Sequence, residues 1–355
     1  MSRYKVAVIG AGIGAQHITG FSALPEVFDV SVICDLDTGK AAALAGPSGP
    51  VVTDDLSRVL ADPGIDIIDI CLPPHLHFDV CAAGLTSGKD VICEKPLAGS
   101  VAEADRLAEL SHQTGKQIFP VFQYRYGQGS RQLKALIDKG IAGTPYIATL
   151  ETHWCRDSAY YDVGWRSTWA GEKGGAILGH AIHIHDWLSF VLGPVESVFA
   201  RLDTRVNPIE VEDCAALSLQ MQNGALVTSS VTLGAAMDTS RLRFCFEHVT
   251  AESGSLPYRP AEGEWQFTAR TPALQDQIDD IIASVPDADD GYAGLFSAIG
   301  DFLDNGKSDA VFLEDGRHSL EFVTAVYHSA ATQMPVSLPI GPTHPLYQGW
   351  VAEGM

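Results

Sequence analysis

Through its first 120 residues the chain switches between two hydrophobic periods. Runs rich in β-branched and aliphatic residues stand near 5–9, 29–34, 66–71, 90–93 and 117–122. Between them, near 14–23, 55–61, 75–87 and 100–114, apolar positions recur with helical spacing. Strands alternating with helices predict βαβ units and a parallel sheet covered on both faces. Ser100 stands three residues before Glu103, a capping-box spacing that marks a helix start. Beyond a helix near 129–139 the pattern changes to strand-like segments near 145–154, 195–203, 213–221, 225–234 and 240–250. Polar turns such as Gln222-Asn223-Gly224 join them, a hairpin signal, and strands without helices between them predict an antiparallel sheet. One apolar helix over about 175–192 enters this half, and helices near 291–304 and 315–331 close it. The alternation stops near 120–128, so two domains are expected, residues 1–123 and 124–355. The fold class is α/β, a parallel sheet followed by an α/β domain with an open, mainly antiparallel sheet.

Composition narrows the partners. A chain of 355 residues, 46% apolar and 19% charged, can build two cores and reads as globular. Its formal charge of -21 repels phosphate backbones and anionic headgroups, so neither nucleic acid nor a membrane is an expected partner. The N-terminus runs almost at once into Tyr4-Lys5-Val6-Ala7-Val8-Ile9, with no leader pattern. The cysteines at 34, 71, 81, 93, 155, 214 and 245 form no Cys-x-x-Cys pair, and several sit in apolar runs as small buried hydrophobes. Reduced thiols and a cytoplasmic location are the expectation.

The first strand ends in Gly10-Ala11-Gly12-Ile13-Gly14-Ala15, which opens the first helix. Read as G-x-G-x-x-A between strand and helix, this is the dinucleotide fingerprint of a Rossmann domain. Gly10 allows the tight turn, Gly12 lets backbone approach the pyrophosphate, and Ala15 keeps helix and strand close. Free N–H groups of the helix N-terminus, starting at Ile13 and Gly14, then face the phosphates. Asp35 ends the second strand, where an acid accepts both hydroxyls of the adenine ribose and repels a 2′-phosphate. No Arg or Lys stands in the Leu36-Asp37 that follows, so NAD is expected rather than NADP. A helix N-cap at Asp35 or Asp37 is the competing reading. The run over 66–71 continues into Leu72-Pro73-Pro74-His75-Leu76-His77, where two prolines turn the chain at the carboxyl edge of the sheet. Leu72, Pro73, His75 and His77 are therefore candidate cofactor contacts, with helix capping as the alternative for the histidines.

At Cys93-Glu94-Lys95-Pro96 the sequence resembles the glucose–fructose oxidoreductase / inositol dehydrogenase (Gfo/Idh/MocA) family. The likeness covers nearly the whole chain: the glycine loop with His17, Pro73 to His77, Gly88-Lys89-Asp90-Val91, Glu94-Lys95-Pro96-Leu97, Gln123-Tyr124-Arg125-Tyr126, Trp165-Arg166, and Gly174-Gly175 through Asp186. It implies an NAD-dependent sugar or polyol dehydrogenase in which Lys95 lies beside the nicotinamide and contacts the reacting hydroxyl. Glu94 and Gln123 join the cofactor contacts. His183 takes the position of the catalytic histidine, a general base that titrates near neutral pH. On a regular helix His180, His183 and Asp186 share a face, and Asp186 would orient the His183 ring.

One position departs from the family. Polyol-oxidising relatives carry an aspartate four residues before the histidine, where this chain has Gly179, and His180 is the candidate substitute. Aromatics and arginines cluster just upstream, in Trp154-Cys155-Arg156, Tyr160-Tyr161 and Trp165-Arg166. Rings stack on sugar C–H faces and guanidinium groups bond hydroxyls or a carboxylate, so Tyr161 and Arg166 join Tyr124 and Arg125 as candidate substrate contacts, and His180 and Asp186 are counted with them. Packing at a domain interface is the competing reading for the tryptophans. His180, His183 and Asp186 also have ligand spacing for zinc, but the family needs no metal and none is expected. A homodimer or homotetramer joined through the second-domain sheet is expected, since an open sheet face must be covered. An NAD-recycling glycosidase or lyase and a non-enzymatic NAD-binding sensor are the rival functions.

Overall fold

The computed structural model describes residues 3–47 and 49–350, which divide into two compact units, 3–121 with 292–320 and 122–291 with 321–350. In the first unit six strands form one sheet: β1 (Tyr4–Ile9), β2 (Phe28–Cys34), β3 (Val51–Thr53), β4 (Ile67–Ile70), β5 (Asp90–Cys93) and β6 (Ile118–Pro120). All pairs are parallel and the order is β3-β2-β1-β4-β5-β6, the doubly wound arrangement that reverses beside β1. The crossovers carry α1 (Gly14–Ser22), α2 (Thr38–Ala45), α3 (Leu56–Ala61), α4 (His77–Thr86) and α5 (Val101–Thr114). Ser100 caps α5 by accepting from Glu103 N at 3.1 Å, and Glu103 reaches back to Gly99 N at 2.7 Å. The three-residue β3 and the short α2 are additions to the sequence expectation, because too few residues carry a period there.

In the second unit α6 (Gln128–Asp138) precedes β7 (Pro145–Cys155), and two single turns, α7 (Ser158–Tyr161) and α8 (Trp169–Glu172), lead to a π turn at Ile177–Ala181 and α9 (Ile182–Leu192). Next come β8 (Val195–Asp203), β9 (Cys214–Met221), β10 (Leu226–Thr232), β11 (Gly234–Phe246), β12 (Val249–Ser253) and β13 (Trp265–Ala269). The chain closes with α10 (Pro272–Ser284), α11 (Gly291–Asn305), α12 (Leu313–Thr332) and β14 (Val336–Ser337). The eight-stranded sheet runs β13-β12-β11-β7-β10-β9-β8-β14 and is antiparallel except for the β7–β10 pair. The expected strand over 240–250 is two strands, turned at Glu247-His248, where Thr144 bonds the Glu247 carboxylate through both N and Oγ1. Alternation along the strands buries Leu150, Leu217, Leu219, Val227, Leu242 and Phe244 on one face. That face meets α9, whose Trp187 packs against Phe244 and whose His185 bonds Ser229 at 2.9 Å.

The domain boundary is corrected at one point. Residues 292–320 belong to the first unit rather than the second. The reason is aromatic: Phe296 stacks on Phe21 at 3.9 Å between ring centroids, Tyr292 lies against His17, and Phe302 and Phe312 meet Phe119. Gly20 faces the same helix because a Cβ there would come within 2.9 Å of the Phe296 ring. Among the described residues no helix is long and apolar enough to cross a membrane.

Candidate active site

The glycine turn is dictated by its neighbours. Gly10 has φ +106°, and a Cβ on it would lie 2.4 Å from the Cys71 carbonyl oxygen. Gly12 is exposed, with only the Lys40 Nζ within 4 Å of where its Cβ would be. Ile13 leads into α1 without a side-chain cap, which leaves that helix N-terminus open to an anion. The close-packing role moves by one residue from the sequence expectation. Gly14 is buried, and a Cβ there would stand 2.9 Å from Val8 Cγ1, whereas Ala15 is half-buried.

Asp35 fastens this loop to the second strand: Oδ2 accepts from Ala11 N at 2.6 Å and Oδ1 from Asp37 N at 2.8 Å. A carboxylate offers about four acceptor sites, so two engagements leave capacity for ribose hydroxyls. The helix cap is Asp37, which accepts from Lys40 N at 3.0 Å. Lys40 is a cation at the glycine turn that inspection of Leu36-Asp37 alone missed, since α2 carries it there.

Past β4, Pro73 starts a single turn over Pro74–Leu76, and His75 is exposed on it. His77 is fully buried at the start of α4, with Nδ1 2.6 Å from the Pro96 oxygen and Nε2 2.8 Å from the Leu72 oxygen. Burial pulls its pKa down despite both carbonyls. With each ring nitrogen held by main chain, His77 ties the Leu72-Pro73 turn to the Lys95-Pro96 turn. The Lys95–Pro96 bond is cis. Glu94 is buried beneath it, accepting from Lys95 N at 3.1 Å, while its other oxygen meets His17 Nε2 at 3.2 Å and the Tyr292 hydroxyl at 3.4 Å.

That network reaches deeper than the sequence pattern indicates. His17 Nδ1 lies 3.0 Å from both oxygens of Asp69 and 3.4 Å from Cys71 Sγ, all three buried. Burial is the largest influence on His17 and opposes a charge there, but the attraction and hydrogen bonds of Asp69 and Cys71 together overcome it and lift the imidazole pKa well above its ordinary value. Burial likewise pushes the Cys71 thiol up, so the sulfur remains protonated. The His17 ring, bridging Asp69 and Glu94, thus holds Glu94 under Lys95. The signal was available: Asp69 interrupts Ile67-Ile68-Asp69-Ile70, and a carboxylate inside a buried strand requires a partner.

The second unit gathers most of the remaining candidates. Gln123 begins a single turn over Gln123–Arg125, and its Oε1 is buried with no partner among the described residues. Tyr124 stacks on His183 with ring centroids 4.5 Å apart and planes 20° apart, and Phe122 meets the same imidazole edge-on at 6.1 Å. Arg125 clamps Asp186 bidentately, Nε to Oδ2 at 2.8 Å and the second nitrogen to Oδ1 at 2.6 Å, with its guanidinium over Phe190. Both partners are buried, so the 122–125 turn is locked to α9 at His183 and Asp186. His180 lies inside the π turn, so the regular spacing from which a shared face was read does not hold there. Its ring sits edge-on to Trp154 at 5.5 Å and near Tyr160 at 5.7 Å. Arg156 covers Trp154 and Tyr160, each at 5.1 Å, and Arg166 covers Tyr160 at 3.9 Å while donating to the Tyr160 carbonyl. Tyr161 meets Tyr160 edge-on, and burial raises its pKa. His185 is a core residue, its pKa pulled to about 3 by burial.

A parallel sheet in this order, a glycine turn closed by an acid on the second strand, and an open α1 N-terminus define a dinucleotide-binding oxidoreductase. The pattern of the oxidoreductase family with NAD-binding Rossmann fold matches residues 4–122, and that of the GFO/IDH/MocA C-terminal domain matches residues 130–252. The chain belongs to the Gfo/Idh/MocA oxidoreductase family, and NAD is the cofactor of its first domain. An uncharacterized oxidoreductase of Schizosaccharomyces pombe is 30% identical over 253 residues, 67% of each chain. One from Synechocystis is 29% identical over 243 residues, 64% of this chain and 65% of its own length. Inositol 2-dehydrogenase 3 of Saccharopolyspora erythraea is 33% identical over 146 residues, 41% of this chain and 43% of that protein. The WlbA dehydrogenase of Bordetella pertussis, solved with NADH and UDP-GlcNAcA, superposes with a TM-score of 0.83 at 26% identity, covering 96% of this chain and 100% of that one.

Proposed function

We propose that the chain is an NAD-dependent dehydrogenase that oxidises a hydroxyl carbon of a sugar or polyol-like substrate, with His183 as general base and Lys95 polarising the reacting oxygen. The observation that carries this reading is the buried His183 imidazole, stacked on Tyr124 in a turn that Arg125 and Asp186 hold in place. A ring so fixed accepts a hydroxyl proton without first reorganising. Lys95 is half-buried on a loop anchored by Glu94 and His77, and its ammonium stabilises the developing alkoxide. Bound NAD supplies the hydride acceptor. Gly10, Gly12, Ile13, Gly14 and Asp35 hold it, with Leu72, Pro73, His75, Glu94 and Gln123 along its edge. Tyr161, Arg166, His180 and the Tyr124-Arg125 turn serve the substrate side. An inositol dehydrogenase and a nucleotide-sugar dehydrogenase among the similar proteins support a polyhydroxylated substrate. The seven free cysteines suit a reducing, cytoplasmic setting, and subunits associate through the second-unit sheet.

The test is NADH formation at 340 nm against aldoses, inositols and sugar acids, with NAD and NADP compared. Turnover with NAD on one class is expected. His183→Ala should lower kcat by about 10²–10⁴-fold, and Lys95→Ala by about 10²–10³-fold, with NAD affinity nearly retained. Gly179 favours one second reading, an NAD-recycling lyase. That enzyme would cleave a glycoside without net NADH, and such an outcome would overturn the dehydrogenase.

A further inference from the structure

The chain enters the π turn through Gly174 and Gly175, and the reason for both glycines lies elsewhere in the second unit. A Cβ on Gly175 would stand 2.0 Å from the Glu212 carbonyl oxygen, and one on Gly174 would stand 2.5 Å from the Tyr327 hydroxyl. Glu212 comes from the loop before β9 and Tyr327 from α12. Three successive main-chain N–H groups are bound by this one glutamate. Gly175 N donates to Oε2 at 3.1 Å, Ala176 N to the Glu212 carbonyl at 2.7 Å, and Ile177 N to Oε1 at 3.0 Å. The Tyr327 hydroxyl donates to the same carboxylate, 3.0 Å from each oxygen. Tyr327 is held in turn, with Trp350 stacked on its ring at 5.4 Å and Trp169 edge-on at 5.6 Å. Trp350 is fixed by donating to the Lys173 carbonyl at 2.6 Å.

A helix start leaves several N–H groups without intrahelical partners, and here a fully buried carboxylate takes the place of water. A π turn is a rare, poorly packed departure from the α-helix that collects at functional sites. It needs external bonds to stay in register, and the Glu212 clamp supplies them at its first residue, Ile177, and at the two residues that lead into it. His180 lies within the turn, and His183 is the second residue after it. A slip to regular α geometry would rotate both imidazoles by a fraction of a turn.

We propose that Glu212, oriented by Tyr327, is the positioning residue that fixes the π turn and with it the stance of His180 and His183. The proposal rests on the reading of His183 as general base for its kinetic consequence, but its structural content stands apart from that reading. Gln is a sharp probe because its amide has one acceptor oxygen. Whichever way it turns, a donor NH₂ faces a main-chain N–H.

The experiment uses the full chain with ring-labelled histidines and two variants, Glu212→Gln and Tyr327→Phe. The imidazole signals of His180 and His183 should move in both variants, while those of exposed His112 stay in place. With the substrate identified by the panel, kcat should fall tenfold or more, and the KM for NAD should stay within twofold. Folded variants with unmoved His180 and His183 signals and unchanged kcat overturn the proposal. If Glu212→Gln does not fold, Tyr327→Phe, which removes a single donor from the carboxylate, decides the question by the same signals. If His183→Asn keeps full turnover, the general-base reading fails, and the ring signals still decide whether Glu212 positions the turn.

Discussion

Gly179 stands where the family resemblance implies an aspartate in polyol-oxidising relatives, and its surroundings make that departure testable. A Cβ built there would meet no atom within 4 Å. Gly179→Ala should therefore cause no clash and stabilise the fold by up to about 1 kcal/mol, read as a rise in Tm, because glycine is the costlier residue within a helix. Gly179→Asp restores the carboxylate that such relatives carry. It is expected to fold normally and to lower KM for inositols relative to sugar acids; an unchanged preference would assign the specificity elsewhere. Glu212 makes a second prediction at this scale. Burial raises its pKa from the ordinary 4.5 to about 7. Between those values the folded chain binds more protons than the unfolded one, so this group's contribution is full below pH 4.5 and is lost as pH rises through about 7. The loss amounts to at most about 3 kcal/mol at 1.36 kcal/mol per unit. Denaturant unfolding of Glu212→Gln at pH 5 and pH 8 should show a smaller drop between the two than the parent chain shows.

At the scale of elements, α11 carries the clearest prediction. Phe296 is fully buried and stacked on Phe21. Phe296→Ala should cost about 3–5 kcal/mol, the usual range for an aromatic lost from a core. NAD binding should weaken with it, since α11 also brings Tyr292 to Glu94 and His17. An unfolding midpoint within 1 °C of the parent's would refute that packing account. This helix also marks where the sequence stopped being legible. Its existence followed from periodicity, but its membership in the first unit depends on contacts with residues some 270 positions away, which no local pattern encodes. The parallel sheet, the hairpin at Asn223-Gly224 and the helix over 101–114 were readable because turn chemistry and burial agree within a few residues. The π turn was not, since Ile177 to Leu192 keeps helical hydrophobicity throughout and regular spacing would set His180 and His183 on one face. The His17–Asp69–Glu94 network was half legible: Asp69 advertised a buried charge, but its partners lie 52 residues upstream and, through His17, on Glu94.

For the whole molecule, the open question posed by the sheet of the second unit is what covers its outer face. The inner face is filled by α9, whereas the outer one presents Ile147, 45% exposed, and its register partner Leu226, 54% exposed, on the central β7–β10 pair. Thr149, Thr228, Ala216 and Ser218 extend that face as small or uncharged side chains, with Arg241 and Arg243 along β11. A chain with 44 acidic against 23 basic residues repels its copies over most of its surface, so a strip whose Glu151 and Glu252 are matched by Arg241 and Arg243 is where they can meet. A twofold axis would set each such strip against its own copy. The proposed dimer or tetramer then predicts that the double variant Ile147→Asp with Leu226→Asp elutes as a monomer by size exclusion with light scattering. The face is solvent-exposed within one chain, so the monomer should keep its far-UV spectrum and NAD affinity. If the parent chain is itself monomeric, or the variant keeps the parent's mass, the outer face is not the subunit contact. In the first case the strip is simply a tolerated exposed face; in the second, association runs through other surfaces.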